Sequence, residues 1–84
     1  MSSAQEEILQ AIEDEKWVLA NLLEDRAIFI KDLLEAIQTN NDADINSVAD
    51  ALYYCHAEIN VVENIIEDLE YELEQLEQKG VTEM

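Results

Sequence analysis

Between residues 45 and 76, Ile45, Val48, Leu52, Cys55, Ile59, Val62, Ile66, Leu69, Leu73 and Leu76 alternate at spacings of three and four without a miss. A helix of 3.6 residues per turn lines all of them along one narrow seam, whereas a strand of period two would scatter them over both faces. They fill every a and d position of successive heptads, with β-branched residues mostly in the earlier part and Leu at the end, so a partner helix is required to cover them. The remaining sequence supplies only helix. It contains no Pro and a single Gly, Gly80, which leaves no punctuation for hairpin turns or sheet corners, and the fold class is all-α.

Ser3 followed by Glu6 has the pattern of a capping box and marks the start of a first helix over residues 3–38. Thr39, Asn40, Asn41, Asp42, Ala43 and Asp44 form the one cluster of turn-forming residues. This predicts a loop over 39–44 in which Asn takes left-handed geometry and Asp44 caps the next helix. That second helix is expected over 45–79, stopped by Gly80 and succeeded by a tail over 80–84. The chain therefore reads as one domain, a long antiparallel helical hairpin. On a helical wheel Ile8, Ile12, Leu19, Leu22, Leu23, Phe29, Ile30, Leu33 and Ile37 of the first helix share a broad face that mates with the second seam. Ile37 is then expected near Ile45, Ile30 near Leu52 and Leu23 near Ile59.

At 84 residues such a hairpin has little core of its own. Beside the second seam the flank of Ala51, Tyr54, Val61 and Ile65 is also apolar, which implies a further partner helix, and a homodimer closing a four-helix bundle is the economical solution. Glu15 and Arg26 fall inside the apolar stripe of the first helix. Two readings are open for them: Arg26 reaches past the seam to an acid of the second helix, or Glu15 and Arg26 pair between copies and fix a register.

Twenty-one acids against four bases give a net charge of −17, which excludes direct binding to nucleic acid or to an anionic membrane surface. Hydrophobic residues at 49% of the chain are too many for a disordered acidic tail. No apolar run reaches the roughly 20 residues of a membrane span. The opening residues lack the basic and apolar regions of a secretory signal, and one cysteine allows no internal disulfide, so a cytoplasmic protein is expected.

Residues for catalysis are thin, and neither an enzyme nor a cofactor is expected. His56 has Tyr53 three residues before it, so the Glu-x-x-His pattern of di-iron bundles is missing. Cys55 and His56 are adjacent, project about 100° apart on a helix and suit packing better than ligation. Asp42, Asp44 and Asn46 match the first positions of an EF-hand loop, but Ser47 stands where Gly is needed and Tyr53 where a bidentate Glu is needed. No metal site is expected.

The acids are organised. Glu63, Glu67, Glu70, Glu74 and Glu77 repeat at four and three residues beside the second seam, and with Asp68 and Glu72 they make seven acids and no base from 63 to 77. That is about one charge per 3 Å of helix, close to the ~3.4 Å per phosphate of one DNA strand. Glu6, Glu13, Asp14, Glu24, Asp25, Asp32 and Glu35 line the outer face of the first helix, with Lys31 among them. Trp17 and Ile28 lie on that charged face, nearly in line, and Trp there is a candidate binding hot spot or a self-association contact.

In charge, size and helical character, with no shared motif, the chain resembles the acidic nucleic-acid mimics by which phages block restriction, CRISPR or recombination enzymes. The resemblance implies a viral anti-defence inhibitor that acts in the host cytoplasm by occupying the basic nucleic-acid-binding surface of a protein partner. The alternative expectation is a small helical chaperone or assembly subunit, of the kind found in secretion systems, which shields a partner helix on the flank of Ala51, Tyr54, Val61 and Ile65.

Overall fold

The structure, a computed structural model, describes residues 2–82 and consists of two long helices, α1 (Ser3–Gln38) and α2 (Asp42–Thr82). They fold back on each other into a rod of 66 × 14 × 13 Å. Its radius of gyration is 19.0 Å, where a compact chain of this length would have about 12 Å.

The helix ends explain the boundaries. Ser2 caps α1: its Oγ accepts from the Gln5 backbone N–H at 3.2 Å, and Gln5 Oε1 accepts from the Ser2 N–H at 2.9 Å. The capping box thus sits one residue before the expected Ser3 and Glu6, because the sequence offers the same Ser-x-x-acceptor spacing in both registers. At the other end Asn40 takes a φ of 54°. Its N–H donates to Ile37 O, and the Asn41 N–H donates to Ala36 O, the paired bonds of a Schellman motif with Asn in the left-handed position. The Thr39 hydroxyl donates to Glu35 O and Ala36 O.

The loop is shorter than expected. Asn41, not Asp44, caps α2: its Oδ1 accepts from the Asp44 N–H at 3.2 Å and its Nδ2 donates to Asp44 Oδ2 at 2.8 Å. The helix accordingly opens at Asp42 instead of residue 45, with Asp42 and Asp44 set against the positive end of its dipole. It also runs through Gly80 to Thr82. Gly ends a helix by turning left-handed, whereas Gly80 lies within α2.

Every residue of the expected α2 seam is buried or half-buried, with Cys55, Ile59, Val62 and Ile66 the most enclosed. The α1 side of the interface differs from the wheel. Ile8, Ile12, Glu15, Leu19, Leu22, Arg26, Phe29, Leu33 and Ala36 are enclosed and alternate at four and three, a second unbroken heptad seam, with Gln5, Leu9 and Ala11 also half-buried at the open end. Leu23, Ile30 and Ile37, expected opposite α2, are exposed. One helix covers only the narrow a/d stripe of its mate, and the apolar arc of α1 is wider than that stripe. Ala36, small enough for close approach of the helices near the loop, takes an enclosed place and is buried.

Candidate functional site

With a and d facing the seam, an antiparallel pair sets the e positions of both helices on one side of the hairpin and the g positions on the other. The grooves along the rod follow this arrangement. One of about 650 Å³ at the open end is lined by Ala4, Ile8, Glu72, Gln75, Leu76, Gln78 and Lys79. Another of about 410 Å³ by the loop is lined by Asp32, Glu35, Ala36, Thr39, Asp44 and Val48. In both, g residues of α1 meet g residues of α2.

Glu63, Glu70 and Glu77 occupy e positions and Glu67 and Glu74 the neighbouring b positions, and all five are exposed. Asp68 and Glu72 are exposed as well. Because α2 is one continuous helix through this region, the five e and b carboxylates stand in one stripe about 21 Å long, whereas Asp68 at c and Glu72 at g lie toward the other side, Glu72 in the wall of the open-end groove. Gln78 Nε2 donates to Glu74 Oε1 at 3.5 Å. Glu6 and Glu13 of α1 lie at b positions on the same side and are exposed, so the open half of the hairpin presents acids from both helices. An α-helix with like charges at i, i+3 and i+4 sacrifices stability, and the array is a feature that folding does not require.

Trp17 and Ile28 are exposed, at 71% and 55%, on the side of α1 turned away from the seam. They sit about 16 Å apart along the helix, Trp17 with Glu13 and Glu24 on either side of it in the sequence. Tyr54, Val61 and Ile65 are exposed and Ala51 half-buried, all four on the g side that carries the grooves. Tyr54 meets Tyr53 edge to face, with ring centroids 5.5 Å apart. Glu15 and Arg26 are half-buried within the seam of the hairpin itself. The candidate residues thus fall on three separate surfaces and are not brought into one.

Cys55 is buried between the helices, where its thiol donates to Leu22 O at 3.4 Å, while His56 is exposed on the e side. Burial pushes the Cys55 thiol above its ordinary 9.0, Asp25 and Glu58 push the same way, and the Arg26 guanidinium opposes them. The folded chain therefore holds this proton more tightly than the unfolded chain. The stability linked to it is complete below the unfolded value and is lost as pH rises through the folded one. A disulfide reagent at pH 8 should modify folded protein about a hundredfold more slowly than protein in denaturant, and equal rates would show that the seam is open at Cys55. Among the described residues no group of three or more His, Cys, Asp or Glu side chains is placed to hold a metal ion, and Asp42, Asp44 and Asn46 stand in the first turns of α2. No helix among them is long and apolar enough to cross a membrane.

The wheel gave no sign of the face left open on α1. Its signal was nonetheless present, since Ala20, Leu23, Ala27, Ile30, Leu34 and Ile37 also alternate at three and four. Comparison of the chain with known protein families, with characterised proteins and with solved structures gives no match.

Proposed function

We propose that this chain is a non-catalytic interaction protein whose acidic open half occupies the basic nucleic-acid-binding surface of a partner protein. The observation that carries the reading is the stripe from Glu63 to Glu77: five exposed carboxylates along one side of a rigid helix, about one charge per 4–5 Å, joined on that side by Glu6 and Glu13 of α1, which approaches the ~3.4 Å per phosphate of a nucleic-acid strand. A groove built to bind phosphates is lined by Lys and Arg, and such an array competes for it directly. Steering by the long-range field makes association fast and salt-sensitive. Trp17 would add apolar area beside the charges.

The test is capture on immobilised protein from nuclease-treated lysate at near-physiological salt, with subsequent elution by excess duplex DNA. A basic DNA- or RNA-handling protein in the DNA eluate is the expected result. Partners that stay bound in DNA and in high salt would contradict it.

A second reading rests on a different observation, the exposed Tyr54, Val61 and Ile65 on the g side. As a chaperone or assembly subunit the chain would hold a partner helix there, its complexes would be indifferent to salt, and Ile65→Asp would abolish them.

A further inference from the structure

The part of the α1 apolar arc that α2 leaves uncovered is itself a seam. Ala20, Leu23, Ala27, Ile30, Leu34 and Ile37 occupy b and e positions and are all exposed. On the same side α2 carries Asn46, Ala49, Tyr53, His56 and Asn60, also exposed. None of these residues is Asp, Glu, Lys or Arg, in a chain of net charge −17. On the side of the hairpin that is acidic in its open half, the b and e positions are thus uncharged over residues 20–37 of α1 and 46–60 of α2, about 26 Å of helix, up to Asp42 at the loop end, with the spacing by which one helix packs on another.

We infer that a second copy of the chain covers this face, in an antiparallel dimer whose two-fold axis crosses α1 midway between residues 28 and 29. The volumes of the seam fit that axis. Ala20 falls opposite Ile37 of the second copy, Leu23 opposite Leu34, and Ala27 opposite Ile30, so a small residue meets a large one or Leu meets Leu in every layer. A parallel pairing would set Ala on Ala and Ile on Ile, with voids alternating with crowding. Along the edge of the seam Glu24 and Lys31 occupy successive f positions. The same axis brings Glu24 of each copy to Lys31 of the other, where a parallel pair would set like on like. On α2, whose residue 51 lies about level with the axis, Ala49 falls opposite Tyr53 and Asn46 opposite His56, and at the edge Asp50 comes to Asp50 of the second copy, a like-charged pair set against the two Glu24–Lys31 pairs.

Area and charge point the same way. The chain exposes 6402 Å², whereas a compact monomer of its mass exposes about 5,100 Å². The excess is larger than the roughly 800 Å² per partner that a standard stable interface buries. Antiparallel docking at the loop halves directs the two open ends away from each other. The nearest acids of the two Glu63 to Glu77 arrays are then about 35 Å apart along the rod, several times the ~8 Å screening length at physiological salt. This dimer does not depend on the reading of the acidic surface, and it leaves one array free at either end.

Sedimentation equilibrium on the full chain at micromolar concentrations should give twice the 9.6 kDa chain mass. X-ray scattering should give a longest dimension near 90 Å, against 66 Å for one hairpin. Leu34→Asp, at a position exposed in the single hairpin, should return the mass to that of one chain with its helical circular dichroism retained, while Val61→Asp on the opposite side should leave the dimer intact. Lys31→Glu should weaken dimerisation about tenfold, since two symmetric pairs change from attraction to repulsion. Adding Glu24→Lys should restore it, a rescue that a general loss of stability would not produce. A single-chain mass throughout, a dimer no longer than one hairpin, a dimer lost in Val61→Asp but kept in Leu34→Asp, or a charge swap without rescue would each overturn the proposal.

Discussion

Replacing Glu63, Glu67, Glu70, Glu74 and Glu77 together by Gln should make the protein more stable and nearly abolish its binding to a basic partner. Glu63 and Glu67, Glu67 and Glu70, Glu70 and Glu74, and Glu74 and Glu77 are like-charged neighbours on one exposed helix face. Each such pair costs about 0.2–0.5 kcal/mol, so relief of all of them is worth about 1–2 kcal/mol and should raise the thermal midpoint by about 5–10 °C. Binding should move the other way. At about 1 kcal/mol per charge facing a basic groove, the loss is on the order of a thousandfold at physiological salt, and most of the salt dependence should go with it. Thermal melts by circular dichroism and titration of the DNA-eluted partner read the two effects separately. A variant that gains stability and binds as before would show the array to be a solvated surface only.

The largest stability effect is expected at Ile59. It is the most enclosed residue of the hairpin, 2% exposed, at an a position flanked by Cys55 and Val62, both buried. Ile59→Ala removes buried carbon and leaves a cavity that two rigid helices close poorly, at a cost of about 2–4 kcal/mol. A chain of this length has about 4–13 kcal/mol to lose. Ile59→Asp, with no buried partner for its charge, should leave the chain unfolded. Urea titration monitored by circular dichroism measures both. Ile65→Ala, on the exposed flank, should change the midpoint little, and equal losses at the two positions would contradict the assignment of the seam.

The α2 seam was readable because it is apolar at every a and d position, and the structure encloses each of those residues. The turn was readable too, since Asn at the left-handed position is a local preference that needs no tertiary context. The start of α2 was not. Asn41, Asp42 and Asp44 are all competent caps, and the choice among them depends on how many loop residues the Schellman turn at Asn40 consumes. On α1 the wheel gave an arc too broad to say which part meets α2. The seam passes through Glu15 and Arg26, whose charges mask its period, and takes Ala36 in place of the larger Ile37. The arc therefore places Leu23, Ile30 and Ile37 toward α2, whereas in the structure they are exposed on an uncharged face with Ala20, Ala27 and Leu34. The acidic array needed no fold to be seen, only the rigidity of α2 to give it a fixed spacing.

If the chain and a nucleic acid compete for one surface of the partner, a displacement titration will show it. The partner recovered by DNA elution is loaded with a fluorescent duplex at physiological salt, and the full chain is added in increasing amounts. Competition predicts stoichiometric release of the duplex, reversed by raising the duplex concentration and absent with the five-Gln variant. A ternary complex of partner, duplex and this chain would contradict it.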